Sequence, residues 1–268
     1  MKKVILVTGS TDGIGFETAK MLVREGHQVL LHGRNPAKLA DAKKALAALK
    51  GDESVEAYLA DLSRLGDVEA LAKAVIEKHK RLAVLVNNAG VLKTPNPVTA
   101  DGLDVRFIVN TLAPYLLTKR LLPLLGKKGR VVNLSSAAQA PVNLDALAGR
   151  GELADMQAYA QSKLAITAWS RVMARSLPDG PAVIAVNPGS LLASKMVKDG
   201  FGVVGNDIGI GAEILTRAAL TDEFASASGQ YFDNDKGAFG PPHADALNPS
   251  KSEEIVRAID ALLAKLAA

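Results

Sequence analysis

At 268 residues the chain has the length for one large α/β domain or two small ones, with ample core. It contains no cysteine, which excludes disulfides, a thiolate nucleophile and cysteine metal sites. Its net charge of +4 comes from scattered lysines and arginines with no interleaved aromatics, which argues against nucleic-acid binding.

Aromatic residues make up 4% of the chain, so the core must rest on Ala, Val, Leu and Ile. That balance suits helices covering a buried parallel sheet, whose strands read as unbroken aliphatic runs. No apolar run approaches the roughly 18 residues of a membrane span, and the run after Lys3 is too short for a secretion signal. A cytoplasmic protein is expected. The histidines, His27, His32, His79 and His243, lack the spacing of a zinc helix and read as surface or strand-end residues, so no metal is expected.

Taken in order, short aliphatic runs alternate with amphipathic stretches, the pattern of βα units. Residues 4–7 form a predicted strand, and a helix over 14–25 ends at Gly26. A second strand covers 27–31, and Pro36 opens the helix after it. Strand 55–59, helix 65–79 and strand 82–86 follow. A long helix is predicted over 103–125 with Pro114 as a kink, then strand 130–134, helix 155–176 and strand 182–186. Residues 190–206 show no periodicity but are rich in glycine and apolar side chains, Leu191, Leu192, Met196, Val197, Phe201, Val203 and Val204 among them. A helix near 208–220, a Gly229-Gln230-Tyr231-Phe232 strand, a turn at Pro241-Pro242 and a last helix from Ser250 complete the chain. With neither repeat nor linker, one domain is expected: a Rossmann-type doubly wound parallel sheet of about seven strands with helices on both faces.

Between the first strand and first helix lies Thr8-Gly9-Ser10-Thr11-Asp12-Gly13-Ile14-Gly15. Glycine lets backbone approach a pyrophosphate, and the helix N-terminus offers it free N–H groups. The second strand ends at Gly33-Arg34-Asn35, without the acid that bonds a ribose 2′-hydroxyl. Arg34 offers a planar cation to a 2′-phosphate instead, which favours NADPH/NADP+ as the cofactor.

A tyrosine with a lysine four residues later places both on one helix face. Two such pairs occur, Tyr115/Lys119 and Tyr159/Lys163. The second follows a strand that delivers Ser135 and Ser136 at its carboxyl end, the edge where doubly wound sheets bind ligands. The first lies within an apolar helix, where packing suits it.

These residues together resemble the short-chain dehydrogenase/reductase family over nearly the whole chain. The family's TGxxxGxG stands at 8–15, its NNAG at Asn87-Asn88-Ala89-Gly90, its helix asparagine at Asn110, its serine at Ser136, its YxxxK at Tyr159 and Lys163, and its PG at Pro188-Gly189. The residues from Ala158 to Ala165 and the terminal Ser-Gly-Gln-Tyr-Phe further resemble the retinol-dehydrogenase-like branch. The resemblance implies that Tyr159 donates a proton to a carbonyl oxygen as hydride arrives from the nicotinamide, or accepts it in reverse. It implies that Lys163 lowers the tyrosine pKa and holds the nicotinamide ribose, that Ser136 bonds the carbonyl oxygen, and that Asn110 organises a relay water. Asp61 and Leu62 would flank adenine, and Asn88, Ala89 and Gly90 the adenosine ribose. Ser135 competes with Ser136, and the resemblance favours the second.

Two departures stand out. Ser136 and Tyr159 lie 23 residues apart, more than the family's usual separation, and the extra segment at 139–155 is a candidate wall of the substrate site. The threonine that normally follows the PG motif is Ala193 here, leaving Ser194 as the carboxamide-binding substitute. The 190–206 stretch is where such enzymes carry a mobile lid, and its apolar residues fit a bulky ketone, aldehyde or alcohol, or merely cover the sheet edge. A catalytically silent NADPH-binding protein and a C=C reductase on the same scaffold are the competing functions. The helices at 103–125 and 155–176 are expected to pair between copies as a homodimer or homotetramer.

Overall fold

In the computed structural model, which describes residues 2–267 and leaves out the side chain of Phe201, the aliphatic runs become neighbouring strands of one sheet. They are β1 (Val4–Val7), β2 (Gln28–Gly33), β3 (Val55–Leu59), β4 (Val84–Asn87), β5 (Arg130–Leu134), β6 (Ala182–Asn187), β7 (Tyr231–Asp233) and β8 (Ala238–Gly240). The order across the sheet is β3-β2-β1-β4-β5-β6-β7-β8. All neighbours are parallel except β8, which returns antiparallel to β7. The sheet has the expected size of about seven strands, with eight among the described residues because the stretch before Pro241 pairs back on β7. Every residue of β4, β5 and β6 is buried, as strands covered on both faces require.

On one face α1 (Gly13–Arg24), α2 (Pro36–Lys50) and α9 (Ile208–Leu220) share a core with β1, β2 and β6, built on Leu22, Leu46, Leu215 and Phe232. On the other, α3 (Leu65–Lys78), α5 (Ala113–Leu125), α7 (Asp155–Ser176) and α11 (Pro249–Ala267) enclose Leu71, Leu117, Trp169 and Ile259. Gly26 follows α1 with φ +86°, a conformation that glycine adopts freely. Pro36 stands in the first turn of α2, where its missing N–H costs nothing. None of the helices among the described residues is long and apolar enough to cross a membrane.

The long helix expected over 103–125 is helical from Val105 to Leu125, with a π turn inside it. Val105–Phe107 forms the short α4, Ile108–Leu112 widens into a π turn, and α5 starts only at Ala113. Pro114 lies in the first turn of α5, directly after the π turn. Inside the 139–155 segment, Leu144–Leu147 forms α6, capped by the Asn143 side chain, with Ala146 and Leu147 in the core. The aperiodic 190–206 stretch contains α8 (Lys195–Phe201), and Ala244–Leu247 forms α10.

Candidate active site

The chain reverses direction across the sheet between β1 and β4, and a ligand crevice opens there at the strands' carboxyl ends. The glycine-rich turn leaves β1 into this crevice. Asp12 caps α1 by accepting the Gly13 N–H at 2.8 Å. A Cβ on Gly15 would stand 2.4 Å from the Gly9 carbonyl oxygen and from Asn88 Nδ2, and one on Gly33 would stand 2.4 Å from Thr11. Only glycine allows this close stacking of turn, β2 and the β4 end beside the start of α1, a position that suits a phosphate. Asn88 ties the turn down, donating to the carbonyls of Thr8 at 2.8 Å and Gly9 at 3.0 Å, while Thr8 Oγ1 accepts the Ala89 N–H. Ile14 packs under Gly211 of α9.

Two of the expected cofactor contacts are committed elsewhere. Ser10 is fully buried and its hydroxyl accepts the His32 N–H at 2.9 Å, so its side chain holds β2 and not a phosphate. Leu62 is 5% exposed within the core, leaving only its backbone to face adenine. Asn35 caps α2 through Lys38 N–H, and Arg34 beside it is exposed. A hollow of about 400 Å³ beyond β2 and β3 is lined by Arg34, Leu59, Ala60, Asp61, Arg64 and Asp67. Asp61 turns its carboxylate to Ser63 at 2.8 Å. Arg64 was not foreseen, because an arginine opening a helix after Asp61 looks like any surface residue.

Tyr159 and Lys163 project from α7 towards the end of β5. Lys163 is 3% exposed and its Nζ donates to the Leu134 carbonyl at 2.7 Å, with Nζ 5.6 Å from the Tyr159 ring centre. Burial pulls the lysine pKa down to about 8. Burial also raises the Tyr159 pKa, and the Ser136 hydroxyl facing it works in the opposite direction. Ser135 is turned away, its hydroxyl 2.6 Å from Thr167 within α7, while Ser136 faces the tyrosine. The Ser136 carbonyl accepts from Gln139 Nε2 at 2.8 Å and from the Tyr231 hydroxyl at 3.1 Å, two residues that sequence inspection passed over.

Asn110 sits in the π turn, 1% exposed. Its amide accepts the Val91 N–H at 2.8 Å and donates to the Val91 carbonyl at 2.9 Å and to Ser162 at 3.0 Å. Both amide hydrogens are thus spent on holding the strand-end loop. Pro114, four residues on, has no N–H to offer the Asn110 carbonyl, which frees that oxygen from an α-helical partner. A Cβ on Gly90 would lie 3.3 Å from Asn110 Oδ1, 3.7 Å from Lys163 Nζ and 3.7 Å from Met196, so α8 lies directly over the NNAG loop. Ser194 caps α8 by accepting the Val197 N–H at 3.2 Å, which leaves its hydroxyl hydrogen free. Pro188 and Gly189 follow β6, the Pro188 carbonyl bonded to Asn234.

The other pair, Tyr115 and Lys119, is brought elsewhere: both bond Asp260 of α11 at 3.0 Å, and the Tyr115 ring packs edge-on against Trp169.

A doubly wound sheet with a glycine cradle at its switch point and a Tyr–Lys pair beside a strand-end serine defines a Rossmann-type oxidoreductase. The short chain dehydrogenase family model matches residues 3–201, and the chain belongs to that family, in its retinol-dehydrogenase-like branch. Retinol dehydrogenase 13 of Homo sapiens is 32% identical over 284 residues, covering 98% of this chain and 84% of the relative. Polyprenol dehydrogenase of Homo sapiens is 34% identical over 258 residues, covering 87% and 77%. Among solved structures, a short chain dehydrogenase from Escherichia coli CFT073 complexed with NADPH matches with a TM-score of 0.71 at 27% identity, covering 87% of this chain and 96% of the other.

Proposed function

We propose that the protein is an NADPH-dependent carbonyl reductase, in reverse an alcohol dehydrogenase, acting on a bulky hydrophobic ketone, aldehyde or secondary alcohol. The observation that carries this is the meeting of Tyr159, Ser136 and Lys163 at the carboxyl edge of β5. The bound nicotinamide would supply or accept the hydride. Tyr159, its pKa raised by burial, is protonated at neutral pH and is the proton donor to a carbonyl oxygen held by the Ser136 hydroxyl. Phenolate formed in that step is stabilised by Lys163, still largely cationic at neutral pH with a pKa of about 8. Asn110 keeps the NNAG loop and Ser162 in register, and its carbonyl is the group that would hold a relay water.

The glycine cradle and the hollow between Arg34 and Arg64 suit the phosphates and adenine of the cofactor. The exposed cation at Arg34, with no acid ending β2, supports NADPH over NADH. Support for a hydrophobic substrate comes from the 190–206 segment over the site, where Leu191, Val203 and Val204 remain exposed, and from relatives that are named for retinol and polyprenol.

Absorbance at 340 nm, followed with NADPH and with NADH against carbonyls from small polar to bulky apolar, tests this directly. NADPH oxidation with bulky carbonyls is expected, reduced by about 10²-fold or more in Tyr159→Phe. Equal rates in the two proteins would remove Tyr159 from the chemistry. Turnover of small polar carbonyls alone would refute the hydrophobic pocket.

A further inference from the structure

The lid segment leaves β6 through Asn187, Pro188, Gly189 and Ser190, and this root is tied to the turn between β7 and β8. Asp235, at the tip of that turn, accepts the Ser190 N–H at 2.7 Å and the Ser190 hydroxyl at 2.6 Å. Its second oxygen also accepts from Asn187 Nδ2 at 2.9 Å. Asn234 beside it donates to the Pro188 carbonyl at 2.9 Å. From the far end of the segment, Asn206 donates its side chain to the Ser190 carbonyl at 3.1 Å and its N–H to the Leu191 carbonyl at 2.7 Å. Both ends of the lid therefore converge on Ser190 and Leu191.

Leu191 has φ +50°, the one non-glycine in the left-handed region among the described residues. Such a conformation costs of order 1 kcal/mol or more and persists only where neighbours over-determine it. The neighbours here are Asp235 before it and Asn206 behind it.

We propose that Asp235 is a positioning residue, a latch that fixes the Pro188–Gly189–Ser190 turn and holds the lid in place over the Gly90–Lys163 side of the crevice. The proposal rests on the reading of that crevice as a NADPH site. The Ser190 N–H and hydroxyl and the Asn187 amide all converge on one carboxylate, and a charged acceptor makes each bond stronger than its neutral counterpart. Because Asp235 and Ser190 are both solvent-exposed, the latch opens without desolvating anything, as a hinge that must release product requires.

The test uses the full chain, with Asp235→Ala, Asp235→Asn and, as a control on the same turn, Lys236→Ala, whose ammonium pairs with Asp233 at 3.0 Å. Hydrogen exchange and NADPH binding by fluorescence are measured for each. Asp235→Ala should speed exchange within residues 188–206 alone and weaken NADPH binding by about tenfold. Asp235→Asn, whose amide oxygen still accepts the Ser190 N–H, should fall between that variant and wild type, and Lys236→Ala should match wild type. Unchanged exchange at 188–206 in Asp235→Ala overturns the latch, as does faster exchange spread over the whole chain or an equal effect from Lys236→Ala. Faster lid exchange in a protein whose wild type binds no NADPH would support the latch and overturn the cofactor reading, so the two failures are separable.

Discussion

His32 stands at the end of β2, where it meets the glycine-rich turn, and it is a buried strand-end residue, 3% exposed. Its Nδ1 accepts the Gly9 N–H at 3.0 Å, so the neutral ring carries its hydrogen on Nε2 and donates it to the Ala60 carbonyl at 3.1 Å. One imidazole thus joins the carboxyl ends of β1, β2 and β3 beneath the phosphate cradle. Burial lowers its pKa to about 4, against the opposing pull of the Ala60 bond and the Asp61 charge. The unfolded chain takes up this proton near pH 6.5 and the folded chain only near pH 4. Stability present above pH 6.5 is therefore lost as the pH falls towards 4, by about 3 kcal/mol in full. Denaturant unfolding at pH 7 and pH 5 should show about 2 kcal/mol of this loss in wild type and much less in His32→Gln. Parallel losses in both proteins would place the titrating group elsewhere.

At the scale of elements, α7 matters most, because it carries Tyr159 and Lys163 and its start must be held against the Asn110 segment. Arg106, 1% exposed in α4, does this with a fork of bonds. Its Nε donates to Asp104 at 2.8 Å, its Nη2 to the other Asp104 oxygen at 2.6 Å, and its Nη1 to Asp155 in the first turn of α7. Removing one partner of a buried pair leaves an uncompensated charge, here on Asp104, so Arg106→Ala should cost about 3 kcal/mol in denaturant unfolding. It should also lower turnover, since the start of the catalytic helix loses its strap. Arg106→Lys keeps the charge but not the fork, and should lie between. A variant as stable as wild type would mean the ion pairs add nothing beyond hydrophobic packing.

For the molecule as a whole, the outer support of α7 comes from the far end of the chain. The family match ends at residue 201, yet α11 packs its Ile255, Ile259 and Leu262 onto the α5–α7 face, and Asp260 receives Tyr115 and Lys119. The second Tyr–Lys pair is a bolt between helices, with Lys119 and Asp260 both about half exposed. Packing is expected to dominate there. Ile259→Ala should cost about 3 kcal/mol, as a large-to-small change in a close-packed core does, while turnover per folded molecule stays near wild type. A loss of turnover at full folding would show that α11 steers the site as well as supporting it.

Local pattern alone was enough for the alternation of strands and helices, including strands at 55–59 and 130–134 with the bounds the structure shows. It was also enough for the glycine turn and for placing Tyr159 near the serine at the end of β5, since aliphatic period, glycine spacing and strand-end position are properties of neighbouring residues. What only the tertiary structure decided depends on partners far away in sequence. Tyr115 meets Asp260 across 145 residues, and Ser136 is held by Tyr231 across 95. Whether Ser10, His32 and Leu62 face a ligand or the interior turned on which strand lay next to them. The π turn at Asn110 carries a side chain that clamps Val91, a partner 19 residues away. A hydrogen bond has no signature in sequence until folding brings its donor and acceptor together, so elements and motifs could be read from the chain, whereas the direction each side chain faces could not.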